Sequence, residues 1–193
     1  MVNYYGEQRF SSNNPEIGKA LLLKNFKKAC ELINNEKIKD YLKTNNNYVS
    51  ALKLIDRNLL SLYVNAFQAH LWNEVAKRYI RDNYKRIISC EGLLFVERPK
   101  KNIFIPLISV DTRLKQGDIK KYYLDILKRE GVTQTDYFIK EFPNLVSDTS
   151  SRPLFVKVSN FRLSKDYLEF YLPKGAFATV LMSYLEALLI RTK

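Results

Sequence analysis

The chain has little of what most catalytic centres and membrane anchors are built from. Its 193 residues include one histidine, His70, and two cysteines, Cys30 and Cys90. With no second His and no C-x-x-C spacing, the sequence offers no metal site. No Ser or Cys stands in a nucleophile motif that would partner His70 as a base, so His70 is read as structural. The cysteines are read as buried free thiols of a cytoplasmic protein. No apolar run approaches the roughly 20 residues that cross a bilayer, and no secretory signal opens the chain, so no membrane partner is expected. Walker loops, G-x-G-x-x-G turns and internal repeats are missing too.

Acid is the scarcer charge. Twenty Asp and Glu stand against 32 Lys and Arg, a net charge of +12. That excess suits a polyanion, because each neutralised phosphate releases counterions. An AT-rich coding bias would also favour Lys, Asn, Ile and Tyr, but it does not by itself leave acids so outnumbered. Apolar residues at 46% and aromatics at 13% supply a real core for one large domain or two small ones.

Against this background the start of the chain stands out. Asn3-Tyr4-Tyr5-Gly6-Glu7-Gln8-Arg9-Phe10 crowds amides, phenols, a guanidinium and a phenyl ring around one glycine. Gly6 lets backbone turn or approach a ligand closely. Asn3 and Gln8 present donor and acceptor together, as a nucleobase edge does. Tyr5 or Phe10 can cover a planar ring, and Arg9 can fork onto a carboxylate or phosphate. The same residues would also serve as an N-terminal strand with its rings in the core.

Beyond a turn at Ser11-Ser12-Asn13-Asn14, Asn14 is a cap with Pro15 in the first turn. Ile17, Ala20, Leu23, Phe26, Cys30 and Ile33 then predict one amphipathic helix ending near Asn34, with Lys24, Lys27 and Lys28 interleaved. Residues 36–49 are polar and rich in Lys and Asn, and mark a change of unit. A long helix is predicted over 58–83, with Leu62, Ala66, Ala69, Trp72, Ala76 and Tyr79 as its apolar stripe, widened by Tyr63, Phe67 and Leu71. Short strands at 93–96 and 103–108 flank the turn Pro99-Lys100-Lys101-Asn102 as a hairpin. Asp118 caps a further helix closed by Gly131. Strands are expected at 154–158 and 167–172, and a last helix runs through Ile190 after Pro173-Lys174-Gly175.

These residues resemble one family, in order along nearly the whole chain. The stretch from Asn3 to Phe10 is similar to the N-Y-F-G-x-Q-R-F-G segment of the TruD family of tRNA pseudouridine synthases. Leu62-Tyr63-Val64-Asn65-Ala66-Phe67-Gln68-Ala69-His70-Leu71-Trp72-Asn73 resembles its L-Y-V-x-A-Y-Q-S-Y-L-F/W-N helix, and Ser151-Arg152-Pro153 its G-x-R segment. Leu172-Pro173-Lys174-Gly175-Ala176-Phe177-Ala178-Thr179 resembles its L-P-x-G-S-Y/F-A-T motif.

The resemblance implies a cofactor-free isomerase of tRNA uridine. An aspartate attacks, the glycosidic bond breaks, and the uracil rotates and rejoins through carbon. The implied fold is α+β: part of a pseudouridine-synthase core, a mixed or antiparallel sheet with helices, carrying an inserted α/β domain. Residues 1–34 and 151–193 would form the partial core, and 35–150 the inserted tRNA-binding domain. Substrate would meet Asn3, Tyr5, Gln8, Arg9, Phe10, Lys174, Gly175, Phe177 and Thr179. Asn3 would bind the uracil edge or hold the catalytic loop, while Tyr5 and Phe177 pack on the flipped base. No residue of the chain is assigned the nucleophilic role.

The sequence also departs from the pattern. The family's G-x-K-D-x-x-A-x-T segment, which carries the aspartate upstream of the N-Y-F-G stretch, has no counterpart here. Asp56-Arg57 is followed by Asn58-Leu59-Leu60 and is rejected as that segment. Ser11 replaces a glycine, and Met182-Ser183-Tyr184 stands where the family tends to L-R-E. The expectation is therefore a fragment, a split enzyme whose separate partner polypeptide brings the aspartate, or a non-catalytic RNA-binding relative. Each would leave a sheet edge exposed unless something covers it.

Overall fold

The computed structural model describes residues 1–11, 13–99, 101–143, 145 and 149–191. Helix α5 (Arg57–Asn83) is the axis of the molecule. Its start is fixed by Asp56, whose Oδ1 accepts from the backbone N–H groups of Asn58 and Leu59 at 2.8 and 3.3 Å. The carboxylate set aside as a nucleophile on sequence grounds is thus a helix cap. Of the predicted stripe, Ala66, Ala69, Trp72 and Ala76 are buried, together with Tyr63, Phe67 and Leu71, while Leu62 faces outward. Val64, Val75 and Ile80 complete a helix buried over most of its circumference.

Helix α1 (Asn14–Leu22) lies along α5. Its cap residue is Asn13, and Asn14 falls in the first turn beside Pro15. The single helix expected to reach Asn34 is broken: α2 (Phe26–Ile33) is separate. Lys24 adopts φ +56°, its N–H bonding the Leu21 carbonyl at 3.0 Å, and the Asn25 N–H bonds the Ala20 carbonyl at 2.9 Å. This pair of bonds closes α1 in the way a C-terminal glycine usually does. Asn25 then caps α2, accepting from the Lys28 N–H at 3.1 Å.

Asparagine continues to punctuate the chain. Asn35 caps α3 (Glu36–Thr44) and Asn47 caps α4 (Tyr48–Leu52). The polar stretch at 36–49 is therefore mostly helical, with Ile38, Ala51 and Leu52 buried. Helix α6 (Asp118–Glu130) packs on α5 and ends at Gly131, φ +65°; its cap residue is Gly117, and Asp118 sits inside the first turn.

The strands are short and antiparallel, so the α+β class holds. β1 (Ile88–Cys90) pairs with β2 (Leu93–Phe95) around Glu91 and Gly92. β3 (Phe104–Pro106) pairs with β4 (Ser151–Pro153), residues far apart in sequence. The hairpin expected between 93–96 and 103–108 does not form, because each half takes a different partner. Ser12 of the expected turn and Lys100 of that hairpin lie outside the described residues. The strand expected at 154–158 begins earlier, at β4, and continues only as a bridge from Phe155 to Val2. Asn3 N–H bonds the Leu154 carbonyl and Val156 N–H the Met1 carbonyl, so residues 150–156 run between 103–107 and the start of the chain. β5 (Ser159–Leu163), not foreseen from sequence, pairs with β6 (Leu168–Tyr171), and α7 (Ala178–Arg191) packs on β1. Cys30 is buried, but Cys90 is only half-buried. Among the described residues no helix is long and apolar enough to cross a membrane.

The closeness of α1 to α5 rests on Gly18. A Cβ there would lie 2.1 Å from the Tyr63 carbonyl oxygen, so Gly18→Ala must push the helices apart. Overpacking of this kind costs about 1–3 kcal/mol, to be read from urea unfolding. Asp56→Ala should cost about 1 kcal/mol through loss of the α5 cap. An unchanged midpoint in either variant would contradict the packing described.

Candidate functional site

Three buried polar side chains on α5 act as brackets. Gln68 Nε2 donates to the Ile108 carbonyl at 2.9 Å, and Trp72 Nε1 donates to the Ile105 carbonyl at 3.1 Å. Asn73 Oδ1 accepts from the Tyr5 N–H and its Nδ2 donates to the Tyr5 carbonyl, both at 2.9 Å. Positions 68 and 72 are one turn apart and 73 is adjacent, so α5 holds the β3 segment and the N-terminal stretch in fixed relation. Losing one such bond leaves a buried partner unpaired, at about 1–3 kcal/mol. A second bracket fixes the neighbouring strand: Asn102 accepts from the Phe155 N–H and donates to its carbonyl, each at 2.9 Å.

The N-terminal stretch meets the Pro-Lys-Gly turn through Arg152. Its Nε donates to the Asn3 carbonyl at 2.8 Å, and its Nη2 reaches Asn3 Oδ1 at 2.7 Å, the Gly175 carbonyl at 2.8 Å and the Tyr4 carbonyl at 3.3 Å. The guanidinium carbon stands 4.2 Å from the Tyr5 ring centre, 5.5 Å from Trp72 and 5.8 Å from Phe177. Burial pulls its pKa below the ordinary value, opposed by the Tyr5 phenol, and an arginine remains cationic through such a shift. Arg152 thus joins residues 3–5, β4 and residue 175.

Of the residues singled out by sequence, most converge here. Asn3 is buried, with Nδ2 on the Pro153 carbonyl at 3.1 Å and Oδ1 taken by Arg152. The half-buried rings of Tyr5 and Phe177 lie 5.9 Å apart, and Tyr5 meets Trp72 edge-on at 5.8 Å. Thr179 Oγ1 donates to Gln8 Oε1 at 3.2 Å. Gly6 is required by contact rather than by dihedral: a Cβ would lie 2.6 Å from Thr179 Oγ1 and 3.0 Å from Phe177 Cβ. Gly175 is required by its φ of +85°. Arg9 stands 5.8 Å from the Tyr5 ring, at the end of a 3-10 turn spanning Glu7–Arg9. Lys174 is exposed at the turn itself.

A cleft of about 430 Å³ opens beside Tyr5, Gly6, Phe10 and Thr179. Among the described residues, four carboxylates line it, Glu7, Glu74, Glu91 and Glu186, against one lysine, Lys77. Burial raises the pKa of Glu74, but hydrogen bonds from Lys77 and Arg129 outweigh it, so the carboxyl lies below its ordinary range. Cys90 Sγ and carboxylate oxygens of Glu91 and Glu186 fall within 4.8 Å of one another. Burial and both carboxylates push the Cys90 thiol up, and a protonated thiol is a poor ligand. His70 stacks on Phe67 and lies 3.9 Å from Glu130, in keeping with a structural role.

Arg152 and Asn73 are residues that sequence reasoning quoted without assigning a role, and Trp72 was read only as part of an apolar stripe. The available signal was two amides, Gln68 and Asn73, set directly beside the apolar residues Phe67, Ala69 and Trp72. For Arg152 the only signal was the resemblance of Ser151-Arg152-Pro153 to the family's G-x-R segment, to which no role was given.

Comparison with known proteins points to one family. The family model of tRNA pseudouridine synthase D (TruD) matches residues 33–99 and 89–185. A probable tRNA pseudouridine synthase D of Thermoplasma volcanium is 23% identical over 252 aligned positions, covering 94% of this chain and 60% of that protein. The alignment is longer than the chain, so that relative carries insertions within the matched region. A probable tRNA pseudouridine synthase D of Nanoarchaeum equitans is 32% identical over 138 positions, covering 69% of this chain and 35% of that one. A crystal structure described as a TruD protein of Methanosarcina mazei superposes with a TM-score of 0.72 at 21% identity, over 96% of this chain and 61% of that chain. The chain spans at most about 60% of the length of these relatives. With motifs at both ends brought to one place and the family model matched over most of its length, the chain belongs to the tRNA pseudouridine synthase D family.

Proposed function

We propose that this chain forms the base-binding wall of a tRNA pseudouridine synthase, converting uridine to pseudouridine in the cytoplasm. The observation that carries this reading is the meeting of Tyr5 and Phe177, from opposite ends of the chain, over one Arg152 guanidinium. Two half-buried rings in contact, one of them, Tyr5, lining the cleft, suit a flipped pyrimidine, which must leave its stack to react. The cleft's carboxylates favour a neutral base over phosphate, leaving the RNA backbone to cations outside the cleft lining.

In the proposed reaction an aspartate supplied from outside residues 1–193 takes part as nucleophile. The carboxylate bonds C1′ as the C1′–N1 bond breaks, the uracil turns, and C5 bonds to C1′ as the carboxylate leaves. A proton leaves C5 and N1 ends protonated, so the product is an isomer and no cofactor is consumed. The chain's own groups bind and orient. Tyr5 and Phe177 pack on the base, Gly6 and Gly175 let backbone approach, and Gln8 with Thr179 closes the loop. Asn3, engaged by Arg152 and Pro153, holds the loop. Phe10 lines the cleft. Residues 35–150 are the proposed tRNA-gripping insert, and 1–34 with 151–193 the core.

The ribbon of β5 and β6 fits the same reading. Phe161, Leu163, Tyr167 and Tyr171 are exposed on it, Leu163 at 76%, and Leu189 and Ile190 are exposed on α7. A two-stranded ribbon alone is marginal in water. We take this surface as the seat of the nucleophile-bearing part of the core.

Pseudouridine formation in a tRNA transcript should be undetectable with residues 1–193 alone. It should appear when a polypeptide bearing the family's aspartate segment is added, and vanish when that aspartate becomes asparagine. Tight tRNA binding with no product under any complementation would identify a non-catalytic RNA-binding module instead. In the complemented enzyme, Phe177→Ala or Asn3→Ala should lower kcat about 100-fold while tRNA affinity changes little, since misplacing one base costs turnover and most affinity lies in phosphate contacts. Equal losses in kcat and affinity would show that these residues only hold the fold.

A further inference from the structure

A second groove has the opposite electrostatic character. It occupies about 350 Å³ where the α1–α2 corner faces the loop between α3 and α4. Lys24, Lys27, Asn25, Asn47, Phe26 and Tyr48 are among its lining residues, and no carboxylate is. Three other clefts among the described residues carry acids: Glu74 and Asp125 between α5 and α6, Glu16 and Glu130 beside His70, and Glu141 near Ile55. Lys19, Lys39, Lys43 and Lys77 are paired with carboxylates at 2.7–3.0 Å. Neither Lys24 nor Lys27 has such a partner among the described residues, and both are exposed.

The amides add donors of fixed orientation. Asn25 and Asn47 each turn Oδ1 onto a backbone N–H, of Lys28 and Ser50, which leaves each NH2 group for an outside acceptor. Phe26 and Tyr48 are half-buried, so the cations sit beside walls of low polarity that concentrate their field. Lys24 holds a left-handed φ of +56° at a helix end where glycine is the usual residue, a position unfavourable to a residue with a side chain. Strain tolerated at a solvent-facing cation fits a residue kept for its charge.

We infer that this groove binds two phosphates of the tRNA backbone, with Lys24 and Lys27 as the cationic contacts and the Asn25 and Asn47 amides as neutral donors. The inference rests on the proposed tRNA substrate and adds to it the surface that grips the RNA away from the acidic base cleft. Phosphate is repelled from that cleft, so the backbone needs cationic support elsewhere.

The test is the salt dependence of binding between residues 1–193 and an unmodified tRNA transcript, read by fluorescence anisotropy. Each phosphate contact contributes about 0.7–0.9 to the slope of log affinity against log salt. The double variant Lys24→Gln with Lys27→Gln should therefore flatten the slope by roughly 1.4–1.8. Lys115→Gln with Lys121→Gln removes the same charge around α6 and should leave the slope as in the unsubstituted chain. Lys24→Gly, which suits the left-handed backbone, should keep or raise the Tm while still flattening the slope, separating lost contact from lost fold. An unchanged slope in the Lys24 and Lys27 variants, or equal flattening in the α6 pair, would overturn the groove assignment and leave the substrate reading intact. Failure of the unsubstituted chain to bind tRNA at all would overturn the substrate reading itself.

Discussion

One guanidinium holds the candidate site together. Arg152 bonds the backbone of residues 3, 4 and 175 and faces the rings of Tyr5, Trp72 and Phe177. A lysine would supply charge without the planar fork needed to reach several carbonyls while lying against a ring. The partial burial that lowers its pKa also strengthens these contacts, because fewer waters compete for the carbonyl oxygens. Around it, Asn73 and Asn102 each bracket a backbone segment with a donor–acceptor pair. The two ends of the chain are thus joined by specific polar contacts as well as by apolar packing.

What could be read from sequence follows from how local its cause is. Helix α5, 27 residues long, was legible because an apolar stripe repeats along it; its aspartate cap was not read from the sequence. The break between α1 and α2 was not, because Lys24 occupies a left-handed position for which glycine is the usual marker, and the apolar spacing runs on through it. Asn25, Asn35 and Asn47 looked like composition and are helix caps. The pairing of β3 with β4 joins three-residue strands some 47 positions apart, as in Ile105 with Arg152, and nothing local encodes it. At the site, Tyr5, Gly6, Phe177 and Thr179 were found because their motifs resemble a family. Arg152 gains its meaning only from what surrounds it in three dimensions.

Charge is divided across the molecule in a way that a net value of +12 conceals. The cleft beside Tyr5 is acidic, and the groove at Lys24 and Lys27 has no acid in its lining. For the proposed function such a division would be useful: the groove's cations are proposed to hold the backbone, and the cleft's carboxylates to keep phosphate from the cavity proposed for the base.

The central claim is that Arg152 couples the N-terminal stretch to the Pro-Lys-Gly turn. Amide hydrogen exchange of Arg152→Met, compared with the unsubstituted chain, tests it most directly. The account predicts that amides at residues 3–6 and 175–179 lose protection together, while those of α6 keep theirs. Protection lost in only one of the two segments, or in neither, would contradict it.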